Sequence, residues 1–351
     1  MVNKQYCMSS YLAFRYIQRD DMDFYEETSH HNFVPKAEEE KIAVSSADEI
    51  DEVISKSFQE LQGQKLGILL SGGMDSGCLA SYMRGCDGYT FRFLGGKFQT
   101  EELERAEAYA KINDIKLHYV DIDWNTVVQY LIPVMKSKGA PVHSIEPQLY
   151  QAALQAKIDG IERLIIGESA DLIFGGMDQL LAKDWTLNAF RDRYLFLNPE
   201  VVLREPWDIS YVFERYKLDG NGIDFLKFMD EIFSVESSGS YENAFSASGM
   251  KYTDPYGNLK MADKLDLYRV RHGEPKYLIR ELFVKKYPGC QIPDKIPMPR
   301  PVDFYFQNWE GPKRREFRSD IDLKAMTGNQ KWQLYCLEEF LNLYEPSKMA
   351  L

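Results

Sequence analysis

No stretch of this chain approaches the roughly 18 consecutive apolar residues of a membrane-spanning helix. Its opening, MVNKQYCMSSYLAFRYIQRDD, has no basic segment followed by a sustained apolar run. A cytoplasmic protein with no membrane partner is the expectation. Cysteine is sparse: Cys7, Cys78, Cys86, Cys290 and Cys336 are odd in number, scattered and never spaced as CxxC, so neither a disulfide framework nor a zinc site is expected. Basic residues are in deficit, 42 Lys+Arg against 54 Asp+Glu for a net charge of −12, which argues against nucleic acid as a partner. The cluster Lys313-Arg314-Arg315 reads as solvated surface. Two nucleotide motifs are missing as well. Without GxxxxGK[ST] there is no lysine-bearing phosphate loop, and without GxGxxG nothing supports a nicotinamide or flavin cofactor.

What the chain does have is a packed interior and one pointed loop. At 351 residues, 44% hydrophobic and 13% aromatic, it is too apolar for disorder and long enough for two domains. Residues 66–77 read LGILLSGGMDSG, an apolar strand that breaks into two glycines, two serines and a carboxylate before a helix-like CLASYM. Gly72 and Gly73 allow close approach of the backbone to phosphate oxygens. The N–H groups and dipole of the following helix favour an anion there. Ser71 and Ser76 can donate hydroxyl hydrogen bonds, while Asp75 suits a hard cation such as Mg2+. Pyrophosphate with magnesium is the reading; a glycine-rich turn with no ligand is the plainer one.

Around that loop, strand and helix alternate. Ile50, Val53, Ile54, Phe58 and Leu61 share a helical face after an N-cap at Ser45 or Ser46, and Gly63 is a stop. GYTFRFL and KLHYVDID read as strands, TEELERAEAYAKIND as a helix, VVQYLIPVMKSKG as a broken helix and EPQLYQAALQAKIDG as another. ERLIIGESADLIFGG repeats the pattern of apolar strand into acidic, glycine-flanked turn. The fold class expected is α/β, a parallel twisted sheet with helices on both faces and ligands at the carboxyl ends of the strands. Residues 1–46 read as an N-terminal arm, 47–180 as the ATP-binding core, and 181–351 as a mainly helical region with no clear strand.

Asp171, in the second acidic turn, would lie across the sheet edge from Asp75, and two such carboxylates can hold magnesium bridging nucleotide phosphates. With both loops in view, the chain resembles the synthetase domain of the asparagine synthetases and the β-lactam and carbapenam synthetases, over about residues 47–310. SGGMDSG is similar to that family's SGGLDSS and GESADLIFGGM to its GEGADELFGGY. ENAFSASGMKYTDPYG resembles the segment ending in a PFLD-like turn, and PKYLIRELFVKKYP the Lys-x-x-x-Arg helix. Lys295 in IPDKIPMPRPVDF matches the lysine of a Pro-x-Lys loop. The resemblance implies the PP-loop, adenine nucleotide α-hydrolase-like fold and an AMP-forming reaction with ATP and Mg2+. A small-molecule carboxylate attacks the α-phosphate, pyrophosphate leaves, and ammonia or an amine takes the acyl group. It places Ser71, Gly72, Gly73, Asp75 and Ser76 at the pyrophosphate and Asp75 and Asp171 at the metal. Leu70, Phe93, Ile166 and Gly167 border adenine and ribose. Lys295 faces the α-phosphate, and Glu168 takes a proton from the amine. A carboxylate that only accepts backbone hydrogen bonds at a turn is the competing reading of Glu168.

The chain also departs from that pattern. Val2 stands second, Cys7 cannot present a free amine, and 46 residues cannot build the glutaminase of asparagine synthetases, so the nitrogen is expected as free ammonia, from a separate glutaminase, or on an amine. GAPVHSIEPQLY replaces a loop resembling EPxxDPSxxP, which puts His143 where an acid is expected; a lone loop histidine is commonly a surface residue. Ser169 replaces the second glycine of GEGAD, and both changes argue against aspartate as substrate. A homodimer remains open. Sulfur or nitrogen transfer to a nucleobase and a non-catalytic nucleotide-binding subunit are the alternative functions, the first disfavoured by the absence of paired cysteines.

Overall fold

The computed structural model describes residues 1–95, 100–294 and 301–345. Seven short strands are present among them: β1 (Ile42–Val44), β2 (Leu66–Leu69), β3 (Asp87–Phe93), β4 (Lys116–Ile122), β5 (Arg163–Ile165), β6 (Lys251–Thr253) and β7 (Leu259–Met261). Five form one parallel sheet in the order β4-β3-β2-β5-β6, and β1 pairs with β7 in a separate parallel ribbon. The chain runs outward from β2 through β3 to β4, then returns to the other side of β2 to lay down β5. That reversal makes the β2/β5 junction the topological switch point, where a crevice opens beyond the strand ends.

The inner strands β2 and β5 are covered on both faces. Ile68 and Ile165 pack on one side with helices α2 (Ala47–Glu60) and α4 (Thr100–Ile112) and the Tyr277–Lys286 helix. Tyr89, Val120 and Leu164 pack on the other with α6 (Glu146–Ile158) and the Ser234–Ser248 helix. Short apolar strands covered on both faces are what a parallel sheet demands. The sequence-derived start of α2 holds, with the Ser46 side chain accepting from the Glu49 N–H, while the helix ends at Glu60, short of Gly63.

Three expectations are corrected. The helix over residues 124–138, α5 (Trp124–Lys138), is continuous; it runs through Pro133 and ends at Gly139 in the left-handed conformation. The region beyond residue 180 is not free of strands, because β6 extends the main sheet by pairing with β5. β6 escaped notice because it is only three residues long and partly exposed, without an apolar run to mark it.

The third correction concerns the N-terminus. Residues 4–14 form helix α1 (Lys4–Phe14), whose residues from Tyr6 to Phe14 are all buried. Tyr11 and Leu12 share a core with Trp332, Leu334, Leu337 and Phe340 of the Gly328–Tyr344 helix. A helix buried on all sides lacks the polar stripe that marks an amphipathic one, so its sequence does not declare it. Arg314, read as surface, is half-buried and bonds Glu316 and Glu345 at 2.9 and 3.0 Å.

Candidate active site

The loop after β2 is held by its own serines. Ser71 Oγ accepts from the Gly73 N–H at 3.1 Å, the Ser71 N–H donates to Ser76 Oγ at 3.1 Å, and the two hydroxyls lie 3.0 Å apart. Helix α3 (Met74–Ala80) starts directly from this turn. Gly72 has a structural reason beyond phosphate approach: a Cβ there would meet the Glu102 carbonyl oxygen at 2.5 Å, so α4 crosses where only glycine fits.

A second turn, Asp254-Pro255-Tyr256, ties the two acidic loops together. Tyr256 is fully buried and its hydroxyl donates to the Asp75 carbonyl at 3.1 Å. Asp254 accepts from the Ser169 N–H at 2.8 Å, fixing the start of α7 (Ser169–Ile173). Burial raises the Asp254 carboxyl to about 6, against the hydrogen bonds from Ser169 that lower it. The PFLD-like segment thus acts as a brace between the strand ends that carry Asp75 and Asp171.

Those carboxylates converge on one ammonium. Lys276 Nζ lies 2.7 Å from Asp75 Oδ2 and 2.6 Å from Asp171 Oδ1. Burial alone would depress the lysine, but the carboxylates of Asp75 and Asp171 outweigh it and hold the group above the ordinary lysine range. Gly176 is the floor beneath Asp171, since a Cβ at that position would fall 2.0 Å from Asp171 Oδ1. A point where two carboxylates already bracket a positive charge suits a divalent cation that takes its other ligands from phosphates and water. Asp75 and Asp171 therefore fit magnesium, although no cluster of three acidic, histidine or cysteine ligands exists among the described residues.

Every nucleotide, metal and acid–base position expected from sequence, apart from Lys295, lines a single cleft of about 1180 Å³. They are Leu70, Ser71, Gly72, Gly73, Asp75, Ser76, Phe93, Ile166, Gly167, Glu168 and Asp171. Lys295 lies outside the described residues. Glu168 accepts a short hydrogen bond from the Ser237 hydroxyl on the Ser234–Ser248 helix. Burial pushes its carboxyl up to about 7, opposed by the Ser237 hydrogen bond and reinforced by the nearby Asp171 charge.

Sequence reasoning missed three contributors. Lys276 was visible only as part of a Lys-x-x-x-Arg helix, with no sign that it reaches Asp75. His143, read as a loop surface residue, is buried in the cleft wall with Nε2 2.8 Å from Arg15 Nη1. Arg15 itself comes from the supposed arm. Three non-glycine residues adopt positive φ among the described residues, Arg15 (62°), Asp114 (55°) and Lys276 (54°). Two of the three are cations lining the cleft. Left-handed conformations at non-glycine residues cost on the order of 1–3 kcal/mol each and cluster at functional sites.

Comparison with known proteins agrees with this geometry. The asparagine synthase family model matches residues 49–222. No curated protein matches the chain. Among solved structures, an NMN synthetase from Francisella tularensis is similar over 71% of this chain and 97% of its own, at 14% identity and a TM-score of 0.27. A U34-tRNA thiolase from Methanococcus maripaludis, described with its [4Fe-4S] cluster, covers 71% of this chain and 82% of its own, at 12% identity and a TM-score of 0.28. TM-scores this low carry no inference about fold or reaction. Residues 49–222, just under half of the chain, are thus similar to the asparagine synthase family, which supports a nucleotide-using, adenylating enzyme.

Proposed function

We propose that the protein is an AMP-forming ligase that activates a small carboxylate with ATP and passes the acyl group to ammonia or an amine. The observation that carries this reading is one cleft in which a serine-glycine loop, the Asp75–Lys276–Asp171 cluster and a carboxyl poised near neutrality, Glu168, face each other.

In the first step a substrate carboxylate oxygen attacks the α-phosphorus, and the bond from that phosphorus to the bridging oxygen of pyrophosphate breaks. The N–H groups following Gly73 and the hydroxyls of Ser71 and Ser76 receive the departing charge at the start of α3. Lys276 presents fixed positive charge beside the same carboxylates. Asp75 and Asp171 would hold magnesium, whose bound charge neutralises the phosphates. In the second step the amine nitrogen attacks the acyl carbon, AMP leaves with its phosphate oxygen, and Glu168 accepts the proton released from nitrogen. Its elevated affinity for a proton suits a base working near pH 7. Ser237, which donates to Glu168, positions the receiving carboxylate.

Sulfur transfer is disfavoured by the same cleft: none of the five cysteines lines it, and Cys7, Cys78 and Cys336 are buried elsewhere. The test is carboxylate-dependent exchange of labelled pyrophosphate into ATP across a broad panel of acids. Exchange with at least one acid is expected. ATP binding without exchange for any acid, with or without amine, would overturn the reading.

A further inference from the structure

A stretch of cleft wall that carries no charge begins directly beside Glu168. Leu172 stands four residues after Glu168 along α7, so the two side chains share one face a single turn apart. Phe233, at the head of the Ser234–Ser248 helix, stands in the same relation to Ser237, the donor to Glu168. Two separate elements thus each set a large apolar side chain one turn from the Ser237–Glu168 bond.

Met177 and Phe196 extend that surface. The Phe196 and Phe233 rings both pack on Tyr194, with ring centres 5.6 and 6.4 Å away. Leu172, Met177, Phe196 and Phe233 rest on the core that holds Tyr194, Phe213 and Phe228, yet each is only half-buried. All four line the cleft. The charged groups beside them are engaged with one another: Arg15 lies over the Phe196 ring and meets His143 and Glu236, Arg193 bonds Gln179, and Arg271 bonds Asp184. What this wall offers a ligand is apolar surface, which gains by taking alkyl or aryl groups out of water.

Phe233 reaches the cleft through a local irregularity. The helical run from Phe225 to Ser248 widens into a π turn at Met229–Phe233, which the Ser234 hydroxyl holds by a short hydrogen bond to the Asp230 carbonyl. Phe228, Met229 and Ile232 are buried in the core, whereas Phe233 at the end of the turn is partly uncovered. Single π turns inside helices are frequent at functional sites. Leu172 also follows Asp171 directly, so the wall starts beside the point where a carboxylate would meet the nucleotide phosphates. A substituent on the acyl carbon, held between Asp171 and Glu168, would run along it.

We propose that Leu172, Met177, Phe196 and Phe233 are specificity-determining residues that seat an apolar arm of the activated acid. The substrate is therefore a monocarboxylic acid whose far end is an alkyl chain or an aromatic ring. This rests on the reading of the cleft as a carboxylate-activating site, but its test is a binding measurement that does not require turnover.

The test compares hexanoate, 4-phenylbutyrate, succinate and hexylamine by calorimetry on the full chain, with magnesium and a non-hydrolysable ATP analogue present. At least one of the two apolar acids is expected to bind about 10- to 100-fold more tightly than succinate, the scale of burying one large apolar side chain. Tighter binding of 4-phenylbutyrate identifies an aromatic arm, and tighter binding of hexanoate an aliphatic one. Phe233→Ala should remove about tenfold of the preference and leave affinity for the ATP analogue unchanged, while Phe233→Leu should keep most of it. If Phe233→Ala does not fold, Met177→Ser decides, with a loss of the same sign. Succinate binding as tightly as both apolar acids, no binding of either apolar acid, Phe233-dependent binding of hexylamine in place of an acid, or an unchanged preference in the folded variant overturns the proposal. An apolar acid that binds with Phe233-dependence yet supports no pyrophosphate exchange leaves the apolar seat standing and removes the ligase reading.

Discussion

The two walls of the cleft are made in opposite ways. At the sheet edge, Ser71 to Ser76 and Gly167 to Asp171 are continuous segments at the ends of adjacent strands, and each places its groups through local backbone geometry. The facing wall is assembled from distant pieces: Arg15 from α1, His143 from the loop before α6, Glu236 and Ser237 from the Ser234–Ser248 helix, and Lys276 from the turn before the Tyr277–Lys286 helix. Chemistry common to a family can be stored in a short motif. Groups that must meet a particular substrate are brought by whichever element reaches them.

The sharpest way to separate the two walls is to break one chemical step and spare the other. Glu168→Gln should lower amide formation by roughly 10²–10⁴-fold, the usual contribution of a positioned base, while pyrophosphate exchange survives. Loss of both steps together would move Glu168 to the activating wall. In the wild type, amide formation should rise as pH passes about 7, where Glu168 ionises, and exchange should lack that limb. The stability effect has a defined sign. A carboxyl raised from 4.5 to about 7 in the folded state contributes stability that is present below about 4.5 and is lost as pH climbs through about 7. Glu168→Gln should therefore melt a few degrees above wild type at pH 8 and show no such gain at pH 4.

Lys276→Met tests whether the cation between the two carboxylates works on phosphate charge. Exchange measured at saturating ATP should fall roughly 10²–10³-fold, the scale of removing one preorganised charge partner. A variant with normal exchange would make Lys276 only a counter-ion for Asp75 and Asp171.

Gly176→Ala leaves every charged group in place and pushes on one. Its Cβ would contact Asp171 Oδ1, so the carboxylate must shift and exchange should fall by about 10²-fold. Unchanged exchange would show that Asp171 can move without consequence.

The facing wall depends on burial of charge. Glu146→Gln strands Lys138, which is 5% exposed, without its counter-ion. Removal of one partner of such a pair costs on the order of 3–5 kcal/mol, read as a lower midpoint in urea unfolding. The smallest effect is expected away from the cleft. Asp114→Gly removes a left-handed non-glycine in the turn before β4 and should stabilise by up to about 1 kcal/mol with no change in exchange.

Legibility in the sequence followed the same division. The parallel sheet and most of the loop residues follow from apolar runs that end in glycine, serine and acid; the strand order does not. Asp75 and Asp171 could be named because each sits a few residues past a strand, and Glu168 through the family resemblance of GESAD. Arg15 could not, because α1 shows neither alternation nor an amphipathic stripe, and its partner His143 lies 128 residues away. Lys276 belongs to a segment whose helix was visible but whose left-handed first residue was not. β6 is too short to signal itself. Motifs report local geometry, and the unread groups owe their position to packing alone.

The contact between α1 and the Gly328–Tyr344 helix also sets an order in time. Lys4 Nζ meets Glu345 Oε2 at 2.6 Å, 341 residues further along the chain. During synthesis, at roughly 5–20 residues per second, α1 waits on the order of 20–70 s before the helix it packs against has been made. Until then Tyr11 and Leu12 lack the part of their cover that Trp332, Leu334, Leu337 and Phe340 supply. The sheet edge can form while translation continues, but the core around α1 closes only near the end. A ribosome that stops early would release a chain able to build the loop after β2 and unable to finish the core around α1.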